Sequence, residues 1–71
     1  METKPIIGLN ADFRAGNKDA TSFMYLASGY YDAVSRVGGI PIVIPPLVDE
    51  DDLNRTLDML EGVILIGGAD L

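Results

Sequence analysis

The apolar positions of this chain fall into three short continuous runs separated by two stretches of helical periodicity. Lys4 to Asn10 contains Pro5-Ile6-Ile7-Gly8-Leu9. Ile40 to Ile44 reads Ile-Pro-Ile-Val-Ile, and Val63 to Ile66 reads Val-Ile-Leu-Ile. Unbroken runs of this length, rich in β-branched residues, predict strands buried on both faces, as in a parallel sheet. Pro5 suits the opening of the first strand. Pro41 fits the second if it is an entry residue or the strand lies at an edge. Between these two runs, Phe23, Leu26, Ala27, Tyr30, Tyr31, Val34 and Val37 recur at spacings of three and four. That spacing predicts a helix from about Ser22 to Val37. Thr21 or Ser22 supplies an N-cap, and Gly38-Gly39 ends the helix with one glycine in the left-handed C′ conformation. A second helix opens on Asp49-Glu50-Asp51-Asp52, whose carboxylates suit the free N–H groups and dipole of a first turn. Leu53, Leu57 and Leu60 form its apolar stripe and Gly62 follows as its stop. The remaining stretch, Ala11 to Ser22, is polar and aperiodic and reads as a loop, of a length that is often functional.

Strands alternating with helices imply an α/β fold of parallel strands joined by right-handed crossovers. All three strands are apolar throughout and need cover on both sides. The expected spatial order is therefore 2-1-3, which puts the two helices on opposite faces and begins a flavodoxin-like doubly wound sheet. In that order the first and third strands are neighbours whose onward connections diverge. Ligands bind at such a switch point, outside the carboxyl ends of the strands. The residues there are Asn10 to Arg14 and Gly67 to Asp70.

Composition narrows the chemistry. The chain has neither cysteine nor histidine in its 71 residues. That removes a disulfide, a thiolate nucleophile, the commonest general base and the commonest metal ligand from this segment. A net charge of -6 argues against nucleic acid or an anionic membrane as partner, since both require a basic face. No run approaches the ~20 apolar residues of a membrane span, and Met1 to Asn10 lacks the apolar core of a signal peptide. A cytoplasmic protein is expected. A hydrophobic content of 48% is high for so short a chain, so part of its apolar surface is expected to lie against structure outside these residues.

Each candidate residue has a plain structural use beside its functional one. Gly67-Gly68-Ala69-Asp70 can offer backbone N–H donors to an oxyanion or simply make a tight strand-to-helix turn. Arg14 can clamp a substrate carboxylate bidentately or stand exposed in a loop. Asn10 and Asp12 can touch a ligand or form Asx turns. Tyr25, Tyr30 and Tyr31 sit at helical spacing and suit core and rim packing. The acidic run at Asp49 suits a helix start better than a cation site, and no metal or other cofactor is expected. No GxGxxG or P-loop pattern is present.

Taken together, Lys4 to Asn10, Tyr31-Asp32-Ala33-Val34, Gly38-Gly39-Ile40-Pro41, Pro45-Pro46 and Gly62 to Leu71 resemble a known family. They look like the amino-terminal part of the gamma-glutamyl-gamma-aminobutyrate hydrolases, within the class I glutamine amidotransferase-like superfamily. The resemblance covers all 71 residues, corresponding to the first third or so of a family domain. It implies hydrolysis of gamma-glutamyl amide bonds by a cysteine–histidine–glutamate triad through a covalent thioester. It also implies that the double-glycine loop gives a backbone N–H to the oxyanion hole, from Gly68 first and Gly67 second. Asn10, Asp12 and Arg14, read from the residues themselves, are the expected substrate contacts. The triad lies downstream in that family and none of it is present here, so the segment by itself is expected to be inactive. Its partners are then a small gamma-glutamyl substrate and the rest of the domain, or a protein that completes the sheet. A competing reading is the non-catalytic half-domain of periplasmic sugar-binding proteins and related repressor cores, which share the strand–loop–helix opening. Ile40-Pro41 and Pro45-Pro46 fit that class less well. A plain flavodoxin-like interaction module explains the fold but not the Gly-Gly-x-Asp-Leu terminus.

Overall fold

A computed structural model describes residues 3–66. In chain order the elements are β1 (Ile6–Asn10), β2 (Asp12–Arg14), β3 (Phe23–Tyr25), α1 (Ser28–Arg36), β4 (Ile40–Ile44), α2 (Glu50–Asp58) and β5 (Gly62–Ile64). β1 is central in a three-stranded parallel sheet of order β4-β1-β5. Ile6 pairs with Ile40 through Asn10 with Ile44 on one side, and Ile7 pairs with Gly62 through Leu9 with Ile64 on the other. Counting the parallel strands alone, this is the expected 2-1-3 order. β4 is an edge strand, which accommodates Pro41 without losing an interior ladder bond.

The helices cover opposite faces. Leu9 and Ile64 share one side with Val34 of α1, while Asn10 and Ile44 share the other with Leu53 and Leu57 of α2. This is the alternation that a strand period of two requires. The buried core is small: Leu9 is wholly inaccessible, and Val34 and Ile44 are nearly so. Backbone approaches are close where glycine allows them. A Cβ on Gly39 would sit 2.9 Å from Val34 Cγ1 and 3.2 Å from Ile7 Cγ1, so the exit from α1 lies tight against β1.

Gly38 carries φ +94° and ends α1 in the expected left-handed step, with its N–H donating to Ser35 O. Asp49 caps α2, its Oδ1 accepting from Asp51 N at 2.8 Å and Asp52 N at 3.2 Å. A cap of this kind contributes about 0.5–2 kcal/mol. The acidic run is therefore a helix start. α2 ends at Asp58 with Met59 as its C-cap, so Leu60 and Gly62 lie beyond the helix, and Gly62 opens β5.

Two expectations are corrected. The stretch from Ala11 to Ser22 is not one open loop, because β2 pairs antiparallel with β3: Asp12 with Tyr25, Phe13 with Met24 and Arg14 with Phe23. Asn17 and Ala20 close the tip with reciprocal backbone bonds, and Asn17 Oδ1 accepts from Asp19 N at 2.8 Å. The first helix accordingly starts at Ser28 rather than Ser22, with Ala27 at its N-cap and no side-chain cap bond. Phe23, Met24 and Tyr25 are held in the hairpin ladder, where bulky aromatic residues pack well across strands. Ser22, read as a cap, instead accepts from Gly16 N at 2.7 Å within the hairpin.

Candidate active-site rim

The carboxyl ends of β1 and β5 lie side by side, as a switch-point site requires. The two strands are pinned at both ends by side chains. At the amino end, Glu61 Oε2 accepts from Ile6 N at 2.6 Å while Glu61 N donates to Ile6 O at 2.9 Å. At the carboxyl end, Asn10 Nδ2 donates to Ile66 O at 3.0 Å and Ile66 N donates to Asn10 Oδ1 at 2.6 Å. The Asn10 amide thus spends one N–H and one acceptor site on the backbone of Ile66, one residue before Gly67. Among the described residues it makes no Asx turn.

Arg14 projects from the hairpin that leaves β1. Its guanidinium carbon lies 5.3 Å from the Phe23 ring centroid and 5.8 Å from that of Tyr25. The two rings are 6.2 Å apart and inclined by 56°. These are cation–π distances, which hold the guanidinium near the two rings without spending its N–H groups on a hydrogen-bond partner. Asp12 stands on the same strand, opposite Tyr25. Its position two residues from Arg14 places both on one side of the hairpin.

Between α2 and the sheet lies a cleft of about 400 Å³, opening at Asn10-Ala11 and Pro45-Pro46. Apart from Asn10 its lining is apolar, so it offers packing surface and no acid–base group. Gly67, Gly68, Ala69 and Asp70 lie outside the described residues. Sequence reasoning did not find Glu61 as a register pin, the Phe23–Tyr25 tray under Arg14, or the use made of Asn10. The tray had a detectable signal, since two short aromatic-bearing runs flank Gly16-Asn17-Lys18-Asp19, a turn-forming sequence.

This geometry meets an independent finding. The sequence profile of the peptidase C26 family matches residues 5–71. The chain belongs to the peptidase C26 family. It is also similar to a Rickettsia prowazekii protein named as glutamine amidotransferase-like, at 32% identity over an alignment of 77 residues. That alignment takes in 99% of this chain and 26% of the relative. A Mycobacterium tuberculosis protein named as a glutamine amidotransferase is 32% identical over 73 residues, covering 97% of this chain and 23% of its own length. The chain therefore spans about a quarter of the length of these relatives. No solved structure matches it. Among the described residues, no helix is long and apolar enough to cross a membrane.

Proposed function

We propose that residues 1–71 form the amino-terminal part of a cytoplasmic hydrolase that cleaves gamma-glutamyl amide bonds. The cysteine, histidine and glutamate of its triad come from sequence beyond this segment. In that reaction a thiolate adds to the amide carbonyl, the amine leaves protonated, and water releases glutamate from the thioester. This segment's contribution is electrostatic and orienting. A backbone N–H of the Gly67-Gly68 loop, with Gly68 the first choice, stabilises the oxyanion as it forms. Arg14, with Asp12 beside it, contacts the charged end of the glutamyl group. The support that carries most weight is membership of the C26 family over residues 5–71, joined to a sheet order that makes β1 and β5 neighbours. The exposure of Val63, Ile64 and Leu65 along the outer strand supports the reading that further domain structure packs there.

The full-length protein, incubated with a panel of gamma-glutamyl amides, is expected to release glutamate and the free amine in equal amounts. A glutamyl adduct on one cysteine should be trapped in intact-mass spectra. Absence of release across the panel, with saturable binding of a sugar, would transfer the protein to the non-catalytic binding class. Arg14→Lys is expected to raise KM for these amides at least several-fold with a smaller effect on kcat, because an ammonium cannot reproduce the planar fork. An unchanged KM would remove Arg14 from the substrate contacts.

A further inference from the structure

The β1–β5 register pairs Ile7 with Gly62, Gly8 with Val63 and Leu9 with Ile64. Carried on, it sets Ile66 opposite Ala11. At Ala11, however, the chain turns out of the sheet to begin β2, and the backbone that should meet Ile66 is gone. The Asn10 side chain occupies that place. A carboxamide carries the same donor and acceptor as a peptide group, and here it makes both bonds to one residue, at 3.0 and 2.6 Å. It adds one rung to the ladder beyond the last backbone pair. Asn10 is half-buried and its own strand is the sheet's centre, paired on the other side with Ile44. The anchor thus belongs to the strand that is paired on both sides, and the residue it grips is the last before Gly67.

We infer that Asn10 is a positioning residue: by gripping Ile66 it fixes the point from which the chain enters the Gly67-Gly68 segment. This inference rests on the proposed role of the loop as an oxyanion donor, and it reassigns Asn10 from substrate contact to support. Donors of this kind act only when held where charge will develop, so a loop displaced by about 1 Å loses much of its effect. The type of residue matters in a defined way. Aspartate keeps the acceptor for Ile66 N–H but turns a second oxygen toward Ile66 O, so half of the clamp becomes repulsive. Alanine removes both halves.

The test uses the full-length protein, with amide exchange and amide NMR shifts beside kinetics. In Asn10→Ala, the Ile66 amide is expected to exchange at least tenfold faster and the Gly67 and Gly68 amide resonances to move. In the nearly isosteric Asn10→Asp, Ile66 retains part of its protection while the glycine resonances still shift. In both, kcat for a gamma-glutamyl amide falls about tenfold or more while KM stays within about twofold, since the substrate loses no contact. Unchanged Ile66 exchange in Asn10→Ala overturns the clamp. Faster exchange with unmoved glycine resonances, or with unchanged kcat, overturns its action on the loop. A rise in KM alone would return Asn10 to the substrate contacts. If the wild-type protein hydrolyses no gamma-glutamyl amide, the reaction assignment fails, while Ile66 exchange and the glycine shifts still decide whether Asn10 sets the loop.

Discussion

On the proposed gamma-glutamyl amide hydrolysis, Gly68→Pro in the full-length protein is expected to lower kcat by about 10²–10³-fold, the cost of removing one oxyanion donor. Proline at this position has no N–H to offer, so the loss is chemical even where the loop keeps its course. Gly68→Ala retains the donor and should lose much less. Gly67→Pro serves as the partner experiment, and the larger of the two losses identifies the donating peptide. Thermal melts of each variant separate a lost donor from a lost fold. Near-normal turnover in a folded Gly68→Pro protein would exclude its N–H from the oxyanion hole.

Leu9→Ala is expected to destabilise the protein by about 2–5 kcal/mol, the range for emptying a packed aliphatic site. The high end applies here. Leu9 is the one large side chain among the described residues with no accessible surface, and it lies under α1 at the centre of the sheet. Its backbone pairs on both sides, with Val43 and Ile64, so the strand cannot shift to fill the void without breaking two ladders. Chemical denaturation should show a lower midpoint with an unchanged slope. A change below about 1 kcal/mol would mean that the core is organised elsewhere.

The parallel sheet was legible because its signals were local and redundant. Three unbroken apolar runs, an acidic helix start at Asp49 and a double glycine at 38–39 each mark an element that forms, although the third strand closes at Ile64 rather than Ile66 and its apolar residues stay exposed rather than buried on both faces. The sheet order followed from burial alone, since strands apolar on both faces need helices on both. The hairpin was not legible for a physical reason. Phe23, Leu26, Ala27 and Tyr30 satisfy helical spacing, but the pairing of Phe23 with Arg14 and Tyr25 with Asp12 is worth more to these residues than an uncapped helical turn. Periodicity describes a segment in isolation, whereas this ladder depends on partners 9 to 13 residues away, from Arg14–Phe23 (23 − 14) to Asp12–Tyr25 (25 − 12). The same limit applied at the site. Asn10 carries two plausible uses in any sequence, and only the arrival of Ile66 from 56 residues downstream selects a third.

That distance has a consequence for how the protein comes into being. β1 is the sheet's centre, yet both of its neighbours follow it in the chain, and Ile6 finds Glu61 only 55 residues later. At a synthesis rate of about 5–20 residues per second, β1 waits roughly 3–11 s after leaving the ribosome before its second neighbour exists. β4 reaches it first, some 34 residues after Ile6, so for the rest of that interval Ile6, Ile7 and Leu9 can pair on one side only. The β2–β3 hairpin, which closes over a short loop and needs nothing downstream, is the first structure the nascent chain can form.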